Sequence, residues 1–77
     1  MFDFNKLRGR IVEKYGSIEK FAKAMDVSAT TLGRKLSAKS TFTHDEIVKA
    51  CRLLEIPFKE VHIYFFAETV KKTSLTA

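Results

Sequence analysis

Apolar residues recur at helical spacing along most of this chain, and the breaks between them divide it into five helices. Leu7, Ile11 and Tyr15 lie four apart and predict a first helix over residues 4–15, with Asp3 as its N-cap and Gly16 ending it. Phe21 and Met25 form the apolar stripe of a second helix, and Leu32 and Leu36 that of a third. Ser17 and Ser28 precede these helices, where a hydroxyl can accept a hydrogen bond from a free backbone N–H. Between Met25 and Ser28 only an abrupt turn fits. Such a turn needs one residue at positive φ, and Asp26 is the candidate, because Asp tolerates that conformation better than most non-glycine types. Ala22 is small enough for the two helices to cross closely, and Val27 plugs the corner.

The second half repeats the logic. Thr43-His44-Asp45-Glu46 has the form of a capping box and opens a fourth helix over residues 44–54, burying Ile47, Ala50 or Cys51, and Leu54. Pro57 interrupts the pattern and begins a fifth helix near Phe58, with Val61 and Phe65 inward. Ile63, Tyr64, Phe65 and Phe66 cannot all enter one small core, because consecutive helical residues fan around the axis. A short strand over residues 64–70 would also leave one face apolar. Either conformation makes Ile63, Tyr64 and Phe66 a candidate protein interface, against the plainer reading that the aromatics fold back over a thin core. The chain therefore reads as an all-α domain over residues 1–70, with a short C-terminal strand as a variant, followed by a flexible basic tail over residues 71–77.

The third helix has weak intrinsic propensity, since Thr30, Thr31 and Gly33 all disfavour it relative to Ala. On a helical wheel Thr30 and Arg34 fall opposite Leu32 and Leu36, with Ala29 and Gly33 beside them. A face of small side chains lets a helix approach a groove closely, and Arg34 is its reaching donor. A solvated face of a helical bundle would look similar, but the turn and both caps together have the spacing of a helix-turn-helix DNA reader. Residues 37–42 then form a polar loop whose backbone amides and Lys39 can rest against phosphate.

Charge sharpens this picture. The net charge is +5 over 77 residues, but residues 1–16 carry +2, residues 17–42 carry +3, residues 43–70 carry −2, and Lys71 and Lys72 restore +2. The positive field thus covers the half that holds the proposed reader. At this length one domain with a modest core is expected, and a 45% hydrophobic content argues against disorder. The lone Cys51 cannot form an intrachain disulfide and sits on an apolar stripe as a small hydrophobe. No signal peptide or membrane-length apolar run is visible, so a cytoplasmic protein is expected. His44 and His62 lie far apart without metal-ligand spacing, and neither a Gly-rich phosphate loop nor a nucleophile–base set can be assembled. No catalysis, metal or cofactor is expected.

FDFNKLRGRIVEKYGS, FAKAMDVSATTLGRKLS, FTHDEIVKACRLLEI and the YFF triplet resemble small Cro-like, lambda-repressor-type helix-turn-helix regulators of temperate phages of Gram-positive bacteria. The resemblance covers roughly residues 1–70. Asp26 stands where that family usually has Gly, and Leu36 where many relatives carry an acidic residue. It implies a five-helix domain with base-edge contacts from Ser28, Ala29, Thr30 and Arg34. Phosphate contacts are implied for Ser17 and for Lys35, Ser37, Lys39 and Ser40, although Lys35 lies closer to the packed side of its helix. The implied function is repression in a lysis/lysogeny switch of a bacterial host cell, with double-stranded operator DNA as partner and a homodimer or a partner phage repressor supplying further specificity. The alternative is an antirepressor or co-regulator that acts mainly by binding a partner phage repressor. Neither a membrane nor a small-molecule substrate enters these readings.

Overall fold

Three of the helices begin where a flanking hydroxyl satisfies an orphan backbone N–H, and the chain's own amides close most of their ends. A computed structural model describes residues 2–68 and gives α1 (Asn5–Tyr15), α2 (Ile18–Met25), α3 (Ala29–Leu36) and α4 (His44–Leu54), then a 3-10 turn (Phe58–Glu60) leading into α5 (Val61–Phe65). Ser17 Oγ accepts from Lys20 N and Ser28 Oγ from Thr31 N, so both serines cap as the sequence predicts. At α4 the capping box is complete, with Thr43 Oγ1 accepting from Glu46 N and Glu46 Oε1 accepting from Thr43 N. The start of α1 differs by one residue. Phe4 occupies the cap position because its ring is buried, and Asp3 Oδ1 reaches past it to accept from Asn5 N at 2.8 Å.

The C-terminal ends of α1 to α4 share a left-handed residue. Gly16 ends α1 at φ 87°, and α2, α3 and α4 end at Asp26, Ala38 and Glu55, with φ of 62°, 62° and 56°. In each of the last three the left-handed residue and its successor donate back into the helix. Asp26 N and Val27 N donate to Lys23 O and Ala22 O, and Ala38 N and Lys39 N to Lys35 O and Arg34 O. Glu55 N and Ile56 N donate to Arg52 O and Cys51 O. This is the Schellman arrangement, and glycine is the residue that adopts it at least cost. Sequence reasoning places Asp26 in this conformation but not Ala38 or Glu55.

One core unites the helices. Phe21, Phe65, Leu7, Ile11, Leu32 and Leu54 are almost completely buried, and each such side chain stabilises by roughly 1.5–3 kcal/mol relative to exposure. Ala22 is 1% exposed, which lets α2 lie close to its neighbours, and Val27 packs against the core edge. Long polar side chains tie the ends of the helices across this core. Arg10 Nε and Nη2 donate to Leu54 O and Glu55 O at 2.9 and 3.2 Å, and Lys49 Nζ donates to Met25 O at 3.3 Å. These cations meet carbonyls at helix C-termini, where the helix dipole favours positive charge.

The C-terminal segment corrects the strand variant. Tyr64 and Phe65 are helical, residues 69 and 70 lie outside the described residues, and among the described residues the only strand-like pairing is a single antiparallel bridge between Phe2 and Glu68. Asp3 N donates to Ala67 O at 2.6 Å, so the two ends of the described chain are fastened together. The basic tail over residues 71–77 also lies outside the described residues.

Candidate functional site

The outward face of α3 is built by its caps. With Leu32 and Leu36 held in the core, Ser28, Ala29, Thr30 and Arg34 are all exposed on one side. Ser28 Oγ is already engaged, accepting from Thr31 N at 3.0 Å and donating to Thr31 Oγ1 at 2.8 Å. At Gly33 an added Cβ would meet nothing within 4 Å, so internal packing does not require glycine there, and its absence of a side chain keeps the face low.

The phosphate candidates differ in how far they are already engaged within the protein. Lys39 and Ser40 are exposed beside the end of α3. Ser17 is half-buried with its hydroxyl accepting from Lys20 N, and Ser37 Oγ accepts from Arg8 Nη2 at 3.3 Å. Lys35 is largely withdrawn from the surface. It is 9% exposed, and its Nζ donates to Glu46 Oε1 at 2.6 Å and to Thr41 O at 3.1 Å. Lys35 follows Leu32 by three positions and so shares its buried side, which turns the ammonium inward toward Glu46. The amides of Ser37, Ala38 and Lys39 are spent on Gly33 O, Lys35 O and Arg34 O, closing α3 rather than awaiting an anion. Burial alone would raise the Glu46 pKa, but hydrogen bonds from Lys35 Nζ and Thr43 N and the charge of Lys35 outweigh it. The carboxyl is held below its ordinary range.

Next to this loop lies a second region that sequence reasoning saw only in part. An apolar cleft of 440 Å³ is lined by Phe2, Phe4, Ala38, Ser40, Thr41, Phe42, Ile47 and Phe66. Its aromatic rings meet edge to face, Phe2 on Phe66 at 5.7 Å, Phe4 on Phe42 at 5.5 Å, and Phe42 on Phe65 at 5.2 Å. Phe2 and Phe66 remain 42% and 46% exposed at its mouth. Across Phe66 a shallower depression is bounded by Asp3, Asn5, Lys6, His62, Ile63 and Ala67. Of the three interface candidates, Phe66 therefore lines both hollows and Ile63 one. Tyr64 lines neither and leans, half-buried, against the core. The sequence signals for the rest were Phe2 and Phe4 flanking Asp3, and a solitary Phe42 in a polar loop. Only the fold brings them together.

Burial pushes the Cys51 thiol pKa up, which makes it a poor nucleophile. Among the described residues no three His, Cys, Asp or Glu side chains form a group able to hold a metal ion, and no helix is long and apolar enough to cross a membrane.

No curated protein matches the chain. The solution structure of the modulator of repression of the temperate bacteriophage TP901-1 from Lactococcus lactis is 40% identical to it, covers 91% of this chain and 95% of that one, and superposes with a TM-score of 0.77. The fold is thus that of a small all-α phage regulator. The family model described as "Protein of unknown function (DUF739)" matches residues 1–68, and the chain belongs to that family.

Proposed function

We propose that this chain is a regulator of a temperate phage's lysis/lysogeny switch that acts by binding a partner phage repressor, with the aromatic cleft as its docking surface. The observation that carries this reading is the cleft itself, because Phe2 and Phe66 stand exposed around an apolar hollow instead of closing it. Aromatic anchors around a desolvated pocket are what protein interfaces use for most of their energy, whereas DNA rewards cations and polar donors. The internal engagement of Lys35 and of the amides of Ser37, Ala38 and Lys39 leaves the DNA reading fewer phosphate donors. The relative's description as a modulator of repression, at 40% identity over nearly the whole chain, supports a role exerted on a repressor. Such a protein would work in the cytoplasm of the host bacterium.

A second reading is favoured by the face of α3. Ser28, Ala29, Thr30 and Arg34 are exposed together, with Gly33 keeping the face low, as a helix entering a major groove would require. In that case the chain represses by occupying operator DNA, Arg34 and Thr30 read base edges, and Lys39 and Ser40 contact phosphate. One recognition helix reads few base pairs, so a dimer with recognition helices about 34 Å apart would be needed.

A gel shift on the phage's switch region separates the two. The first reading expects no specific shift from the chain alone, and a displaced or supershifted band when the chain is added to the repressor of the same phage. A specific shift by the chain alone, with the repressor's own band unaffected, overturns the first reading in favour of the second.

A further inference from the structure

We infer that Lys35 and Glu46 are positioning residues for the cleft, their ion pair holding the wall formed by residues 38–42 in the shape that a partner repressor fits; this rests on the docking reading above. Among the described residues Lys35 is the one charged side chain in the buried set. An ammonium taken out of water is costly unless it is paired and hydrogen-bonded, and here every contact is directed. Lys35 Nζ holds Glu46 Oε1 at 2.6 Å and Thr41 O at 3.1 Å, and it lies 6.0 Å from the centre of the Phe42 ring. The same Glu46 oxygen accepts from Thr43 N at 2.8 Å. One carboxylate oxygen and one ammonium thereby join α3, the end of the loop and the first turn of α4.

The loop needs such a fastening. Between the cap of α3 at Lys39 and the capping box at Thr43, the chain crosses Ser40, Thr41 and Phe42, and all three line the cleft. Phe42 is the keystone of that wall, edge-on to Phe4 on one side and Phe65 on the other. A buried ion pair is no more stabilising than a well-packed apolar pair of similar volume. What the pair adds over such a replacement is direction. A methionine at position 35 would fill the space, but it has no donor to hold Thr41 O or to fix Glu46 against the loop.

The test compares Lys35→Met, Glu46→Gln and Phe66→Asp with the unaltered chain. Binding to the purified repressor of the same phage is measured by calorimetry, and backbone amide and Phe42 ring signals by NMR. Lys35→Met is expected to shift the signals of residues 38–42 while sparing those of α1, and to weaken repressor binding about tenfold, equivalent to ~1.4 kcal/mol. Glu46→Gln retains an acceptor for Thr43 N and for the ammonium, so it should rescue part of both effects; it also serves if Lys35→Met does not fold. Unchanged loop signals in both variants overturn the positioning role. So does a shifted loop with undiminished binding, provided that Phe66→Asp abolishes binding. If Phe66→Asp leaves binding intact as well, the docking reading itself fails, and the positioning role falls with it.

Discussion

The face of α3 and the aromatic cleft adjoin the same loop, yet they are made in opposite ways. The α3 face is a local product, since two serine caps, one left-handed Asp26 and a pair of leucines suffice to set four side chains outward. The cleft is a product of distance in sequence, because Phe2, Phe42 and Phe66 meet only after the chain has closed on itself. The α3 face is small and polar with one long cation, Arg34, and of the neighbouring hydroxyls Ser17 and Ser28 cap helices while Ser37 accepts from Arg8. The cleft offers unspent apolar surface. The α3 face keeps Thr30 and Arg34 for a polar partner, whereas exposed aromatic rings gain most from being covered.

The difference can be broken by substitutions that touch one region and spare the other. Phe66→Asp should have the largest effect, weakening association with the repressor by about 2–4 kcal/mol, as loss of an interface anchor does. Helical content by circular dichroism should remain, because Phe66 is half out of the core. Global unfolding instead would assign Phe66 to the core. Arg34→Ala is the converse. If α3 reads DNA, this variant should cost about 1–3 kcal/mol on the specific site and flatten preference at one base pair, with repressor binding unchanged. Equal losses on specific and random DNA would make Arg34 a phosphate contact.

Acid should separate the two regions within one molecule. The folded Glu46 carboxyl titrates below its unfolded value, so its contribution to stability is complete above the ordinary carboxylate pKa of about 4.3 and is lost as pH falls through the lowered folded value. The unaltered chain should therefore lose stability in that window more steeply than Glu46→Gln, a difference that acid titrations of thermal midpoints would reveal. Lys39→Ala addresses the other side of the loop. On the DNA reading it should reduce the slope of log K against log salt by about 1 for all sequences. An unaltered slope would place Lys39 away from the backbone.

The smallest effect lies at the joint between the regions. Ala38 sits at φ 62° where α3 ends and the cleft wall begins, and Ala38→Gly should stabilise the fold by about 0.5–1 kcal/mol by removing the Cβ conflict. Differential scanning calorimetry would register it as a higher midpoint; a lower one would mean that the lost side chain in the cleft matters more than the relieved backbone.

What was legible in the sequence follows the same division. The caps at Ser17, Ser28 and Thr43, the turn at Asp26 and the bounds of α4 rest on chemistry between residues three to five apart, and the structure has them as the sequence does. Lys35 shows where that reasoning stops. Its helical phase placed it near the packed side, but only the approach of α4 supplies Glu46, eleven positions away, and turns a surface cation into an internal one. Tyr64 and Phe66 show the same limit. Two positions apart and similar in chemistry, they part company because one leans on the core and the other overhangs the chain's own beginning.

The fastening of Phe2 and Asp3 to Ala67 and Glu68 has a practical consequence. Phe2 is thereby held beside Phe66 on the lining of the cleft. An affinity handle placed there would crowd the docking surface. Assays run with and without such a handle should therefore disagree about the repressor.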